Sequence, residues 1–268
     1  MAMNAKKDFL KFWGIHIVPE TPTKVPETQT KAASPVTAPV HAKTIPASAV
    51  TASRPSENLK PGEKQVRLET LRQEILQRCP KCGLEKTRTH LVFGEGNVSP
   101  DIVFVGEAPG FDEDKTGRPF VGKAGQLLTD IITKGMGLTR EKVYICNILK
   151  CRPPENRVPT PDEVAACSRY LVEQLRILHP RVIVALGASA VRGLLPDLHD
   201  GISRLRGRFY DYYYDGPGTK TGEAVPVMAT FHPSYLLRNP AAKKYVWEDI
   251  KKVLTFLDIP IPTTKKST

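Results

Sequence analysis

No stretch of this chain approaches the roughly twenty consecutive apolar residues that a membrane-spanning helix needs. Its apolar runs are short and punctuated, so no membrane association is expected. Nor does the N-terminus carry an apolar core followed by a small-residue cleavage site, and a cytoplasmic protein is expected on that ground. Cysteine is scarce, five in 268 residues. Structural disulfides are rare in the cytoplasm, so these thiols suggest metal ligation before they suggest bridges. Between Val18 and Glu63 aromatic residues are almost absent, as is any helical or alternating apolar period; Pro, Thr, Ala, Ser and Lys dominate. Such a segment cannot bury enough apolar area to offset the entropy of ordering it. Residues 1–65 are therefore expected to form a disordered tail, residues 66–260 the folded domain and residues 261–268 a flexible C-terminus. Ahead of the linker, Phe9, Leu10, Phe12, Trp13, Ile15 and Ile17 form an apolar island. It reads equally as a frayed end or as a short partner-binding peptide.

What is present in abundance is positive charge and buried-strand pattern. The formal charge is +11, with basic residues in excess in both the tail and the remainder. Clustered Lys and Arg gain free energy by releasing counterions from phosphates, so a polyanionic partner is indicated. With 40% hydrophobic residues the chain can build a core. Val66 to Gln77 has helical spacing, and Ile102–Val105, Val143–Cys146, Val182–Leu186 and Val225–Ala229 read as buried strands. Helices are expected between them over 124–134, 162–178 (opened by Thr160-Pro161) and 188–194. Strands buried on both faces and separated by helices imply an α/β fold with a central, mainly parallel four-stranded sheet covered on each side. In such a sheet a ligand lies beyond the carboxyl ends of the strands.

At those ends the residue types carry chemistry. The first strand runs into Gly106-Glu107-Ala108-Pro109-Gly110, then Phe111-Asp112-Glu113-Asp114 and Gly117-Arg118-Pro119-Phe120-Val121-Gly122. Glycine and proline allow a sharp turn close to a ligand, the carboxylates supply chemistry, and Phe120 supplies a flat apolar face. After the second strand come Asn147, Lys150 and Cys151; an amide here can donate and accept at once, matching a pyrimidine edge. The last strand leads into Thr230-Phe231-His232-Pro233-Ser234-Tyr235-Leu236-Leu237-Arg238. An imidazole, a small hydroxyl, adjacent apolar side chains and a cation suit a loop that wedges between bases while holding phosphate. Cys79 and Cys82 form a C-x-x-C knuckle, Cys151 lies far downstream, and Cys167 sits within a helix. Zinc ribbons usually present two close pairs; this uneven set is easier to reconcile with an iron–sulfur cluster, with zinc the alternative. Cys146, inside a strand, reads as a small buried hydrophobe.

Together these motifs, with T-G-R-P-F-V-G-K-A-G-Q-L-L at 116–128 and N-I-L-K-C-R-P-P at 147–154, resemble the family-four uracil-DNA glycosylases, the iron–sulfur members of the uracil-DNA glycosylase superfamily. The resemblance runs from about Leu68 to Leu257 and implies the superfamily's three-layer α/β/α sandwich. It implies a [4Fe–4S] cluster on Cys79, Cys82, Cys151 and Cys167, with Cys146 outside the set. It implies a monofunctional glycosylase, monomeric and nucleoid-associated, acting on uracil-containing DNA. By position, Phe120 would stack on the flipped uracil, Asn147 would pair with its polar edge, and His232 would lie near O2. Gly106, Glu107 and Ala108 would complete the pocket and hold the attacking water, with Glu107 and His232 as the catalytic pair. An Asp stands in family-one enzymes where this chain has Ala108. Glu113 is the expected wall against the thymine C5 methyl. Leu236 or Leu237 would be the wedge, and Lys150, Ser234 and Arg238 further DNA contacts.

Two other readings compete. A related subfamily traps uracil-DNA irreversibly through a His in an inserted loop, but residues 152–161 carry neither a His nor an insertion, which favours turnover. A non-catalytic binding module or a cluster-based redox sensor would leave unexplained a Phe, an Asn and a His all at strand ends.

Overall fold

The computed structural model describes residues 59–79, 82–214 and 224–262. The apolar N-terminal island and the linker up to residue 58 lie outside these residues, as do residues 263–268. Among the described residues helix α1 (Pro61–Arg78) starts about one turn before Val66, so the expected boundary falls inside it. The reason is Lys64, whose side chain is buried while its Nζ donates to the Leu178 carbonyl at 2.8 Å.

Six strands form one sheet: β1 (Glu95–Gly96), β2 (Ile102–Gly106), β3 (Tyr144–Asn147), β4 (Val182–Leu186), β5 (Phe209–Tyr212) and β6 (Val225–Thr230), in the order β1-β3-β2-β4-β6-β5. The four expected strands are the parallel centre, β3-β2-β4-β6. The expected count of four is corrected to six by two antiparallel edges, β1 on β3 and β5 on β6. β2 and β4 are buried at every position, as Val- and Ile-rich strands with both faces covered must be.

Helices α2 (Phe111–Thr116), α3 (Lys123–Asp130), α4 (Pro161–Leu178), α5 (Ala188–Leu194), α6 (Ile202–Leu205), α7 (Pro233–Arg238) and α8 (Lys243–Phe256) follow. Helix α1 packs on α4, α5 on β4 and β2, and α8 on β6. Helix α4 starts where its sequence dictates. Thr160 Oγ1 accepts from the Glu163 N–H and Glu163 Oε2 accepts from the Thr160 N–H, with Pro161 in the first turn. Arg157 binds both carboxylate oxygens of Glu163 and holds its carboxyl down to about 2. This fixed start sets the position of Cys167 on the helix. Among the described residues no helix is long and apolar enough to cross a membrane.

Candidate active site

Parallel strands deliver their carboxyl ends to one edge, and register decides which residues meet there. Gly106 pairs with Asn147 across β2 and β3, and Leu186 with Thr230 across β4 and β6. A Cβ on Gly106 would fall 2.3 Å from Asn147 Oδ1 and 2.6 Å from Phe120 Cζ, so only glycine lets amide and ring share that point. The Phe120 ring lies 5.7 Å from the His232 ring, centroid to centroid. Gly187, with φ +88°, brings its backbone against His232, where a Cβ would sit 3.0 Å from that of the histidine. Segments far apart in sequence thus meet at the carboxyl ends of the parallel strands.

Asn147 is buried, and among the described residues its Oδ1 has no hydrogen-bond partner. A buried amide oxygen left unpaired costs free energy unless a ligand donor satisfies it. Phe120 adopts the left-handed region at φ +53°, a conformation costing a bulky residue about 1–2 kcal/mol. Surrounding residues enforce it. Arg140 donates to the Phe120 carbonyl at 3.2 Å and the Pro119 carbonyl at 2.9 Å, and Gly125 approaches so closely that a Cβ would lie 2.0 Å from the Phe120 carbonyl. Glu95 anchors Arg140 at 2.7 Å; burial pushes its carboxyl up, but Arg118 and Arg140 outweigh that and hold it below the usual range.

His232 caps helix α7: its Nδ1 accepts from the Ser234 N–H at 3.1 Å and lies 2.8 Å from Ser234 Oγ. Burial, reinforced by the charge of Arg238, pushes the imidazole down to about 4. The ring is therefore neutral near pH 7, and with Nδ1 accepting, the proton resides on Nε2. That nitrogen is a donor. The linkage has a definite sign: a depressed basic group contributes stability above its ordinary value of 6.5 and loses it as pH falls toward about 4. Glu107 is half-buried, and among the described residues its carboxylate has no hydrogen-bond or ionic partner. Its carbonyl accepts from the Leu149 N–H at 3.0 Å, tying the first motif to the third. Ala108 is half-buried beside it and packs on the core.

Several expected roles are corrected. Lys150 cannot reach a phosphate, because its side chain is wholly buried and its Nζ donates to the Asn147 carbonyl at 2.7 Å. Leu236 is 1% exposed and belongs to the core, whereas Leu237, one helical step on, is 46% exposed and free to act as a wedge. The Ser234 hydroxyl serves the His232 imidazole. Arg238 is exposed, open to a phosphate. The Glu113 carboxylate is consumed by the N–H groups of Gly110, Val121 and Gly122 at 3.1, 2.8 and 2.9 Å, so it organises the loop and is no wall against a methyl group. Glu113→Ala should cost about 3 kcal/mol by stranding these donors. A melting curve reads that loss, and thymine excision by the variant would restore the wall.

Sequence reasoning missed Arg140 and Gly125, which act on Phe120 only through the fold. It also missed exposed Phe111, whose ring carries the Arg152 guanidinium at 5.2 Å. The aromatic-then-carboxylate start of the loop was the available signal.

Burial pushes Cys82, Cys151 and Cys167 up, Cys151 to about 11, and each also feels other members of the set: Cys79 acts on Cys82 and Cys167, Cys82 on Cys151 and Cys167, and Cys167 on Cys151. Cys146 is raised by burial as well and, like Cys167, feels Lys150. Arg88 donates to Cys151 Sγ at 3.2 Å. Among the described residues no three His, Cys, Asp or Glu side chains are drawn to ligating separations. The donor set, four soft thiols with cations beside them, fits a thiolate-bound, anionic cofactor.

Residues 93–251 match the model of the uracil DNA glycosylase superfamily. The Type-4 uracil-DNA glycosylase of Thermotoga maritima is 49% identical over 186 residues, 69% of this chain and 92% of that protein. That of Archaeoglobus fulgidus is 47% identical over 189 residues, 69% of this chain and 91% of that protein. The Type-5 uracil-DNA glycosylase of Pyrobaculum aerophilum is more distant, 32% identical over 155 residues and covered to 64% of its length.

Proposed function

Because this chain belongs to the uracil-DNA glycosylase superfamily and is similar to the Type-4 enzymes cited above, we propose that it flips deoxyuridine out of DNA, hydrolyses the N-glycosidic bond, and releases uracil to leave an abasic site for base excision repair. The observation that carries this reading is the buried, unpartnered Asn147 Oδ1 beside the Phe120 ring. Uracil N3–H would donate to that oxygen, and the amide nitrogen would donate to O4. Cytosine lacks the N3–H and places an amino group where O4 stood, so two polar groups would be buried unpaired.

Cleavage passes through an oxocarbenium-like sugar. The C1′–N1 bond breaks with its electron pair going to the base, water oxygen bonds to C1′, and the water proton passes to Glu107 or to solvent. Charge builds on uracil O2, where the neutral His232 Nε2–H would donate without any proton changing hands. Leu237 would fill the vacated stack and Arg238 would hold a phosphate. Cys79, Cys82, Cys151 and Cys167 would hold a [4Fe–4S] cluster, whose contribution is to cross-link the knuckle, the loop after β3 and helix α4. The cytoplasm, at the nucleoid, is the compartment this activity requires. Residues 1–20 would recruit a repair or replication partner, and the catalytic domain would act as a monomer.

The test is release of free uracil from single-stranded, U:A and U:G oligonucleotides, with iron and sulfide measured on the same anaerobic preparation. Uracil release with about four irons and four sulfides per chain is expected. Iron-replete protein that leaves every uracil attached sinks the proposal.

A further inference from the structure

Lys150 is the one wholly buried lysine side chain among the described residues, at 0% exposure. Its Nζ has one oxygen partner, the Asn147 carbonyl at 2.7 Å. An ammonium has three N–H donors, so this bond leaves two to be matched. Cys151 is its neighbour in the chain, and among the described residues no carboxylate is paired with it. The Lys150 backbone N–H donates to Cys167, and its carbonyl accepts from the Val92 N–H at 3.0 Å. Burying an ammonium without a counter-charge is heavily penalised, and neutral thiols do not supply one. Thiolates ligating a metal group do, since four such ligands outweigh the positive charge of an iron–sulfide core.

We infer that Lys150 is a positioning residue with two ends: its ammonium balances the anionic cofactor held by the four cysteines, and its hydrogen bond to the Asn147 carbonyl fixes the peptide whose side chain reads the pyrimidine. The inference rests on the cysteine site and on the uracil pocket proposed above. Three residues separate the amide that selects the base from Cys151. Through Lys150, loss of the cofactor would release the Asn147 peptide, so the chain would lose uracil recognition before it lost its general affinity for DNA. Outer partners of metal ligands are worth roughly 10- to 100-fold in affinity or activity, which sets the expected scale.

Lys150→Met keeps the stem and deletes the charge; Lys150→Arg keeps the charge and displaces the hydrogen bond. Two readouts are taken on each anaerobically purified protein: the lifetime of visible cluster absorbance under a chelator, and binding to a single-stranded oligonucleotide with one 2′-fluoro-2′-deoxyuridine against its uracil-free counterpart. Lys150→Met is expected to shorten the lifetime about tenfold and weaken preferential uracil binding about tenfold, with uracil-free binding unchanged. Lys150→Arg is expected to restore the lifetime but not the preference. If Lys150→Met does not fold, Lys150→Arg decides alone, and an unchanged uracil preference overturns the inference. An unchanged lifetime in Lys150→Met also overturns it. A wild-type protein with no uracil preference would overturn the recognition end together with the glycosylase reading, while the absorbance lifetime would still judge the counter-cation separately.

Discussion

His232→Ala is expected to lower the single-turnover rate of uracil release by about 10²–10³-fold, the range found when one preorganised donor to a developing anion is removed. Glu107→Gln should fall short of the ~10²-fold that a well-positioned general base supplies. The ranking follows from how the two side chains are held. His232 is fixed on both sides: Ser234 occupies Nδ1, Gly187 presses on its backbone, and the Phe120 ring stands 5.7 Å away. Its donor is aimed and its protonation state set before substrate arrives, so no reorganisation is needed as the base departs. Among the described residues Glu107 has no orienting partner, and bond breaking that runs ahead of water attack asks little of a base. Because burial holds the imidazole near 4, the rate should also be flat with respect to His232 between pH 5 and 8, falling only as pH approaches 4 and protonation takes away the Nδ1 acceptor. A pH–rate limb near 6.5 that vanishes in His232→Ala would contradict this, and a larger loss in Glu107→Gln would reverse the ranking.

The contrast between Leu236 and Leu237 illustrates what a sequence discloses. Both are leucines in one motif, and residue type alone offered either as a wedge. Which one faces water follows from the angular step of helix α7, whose start is set by the His232 cap. The central strands were legible because continuous Val and Ile runs leave no polar face to assign. The edges were not: β1 is two residues long, and β5 is a half-exposed Phe-Tyr-Asp-Tyr run without the continuous apolar signal of a buried strand. Charge misled at Lys150 and Glu113 for a common reason. A charged side chain reads as solvated unless its partners are known, and these partners are a carbonyl three residues back in one case and N–H groups up to nine residues away in the other. The side chains proposed to react stood out because strand ends concentrate them. The residues that hold them, Arg140, Gly125 and Lys150, act through contacts that local pattern does not encode.

Asn147→Ala tests the pocket at its most exposed premise. In the wild-type protein the unpaired Oδ1 is a standing cost that only a ligand with an N–H at the right edge removes. Alanine abolishes that cost and opens the space next to Gly106, so the folded protein should be no less stable, and melting at or above the wild-type temperature is expected. Uracil entering the enlarged pocket would bury its N3–H and O4 without partners. Sites built to hydrogen-bond a substrate discriminate by about 10⁴–10⁵ against a missing partner, and a loss of kcat/KM near 10⁴ is the corresponding expectation. The residual activity should no longer distinguish uracil from cytosine, since Phe120 stacking and the His232 donor to O2 serve both pyrimidines alike. Stability and selectivity therefore move independently, as they must when a polar group is buried for its ligand. A variant that melts well below the wild type yet still prefers uracil would mean that Asn147 braces the fold and that the base is read elsewhere.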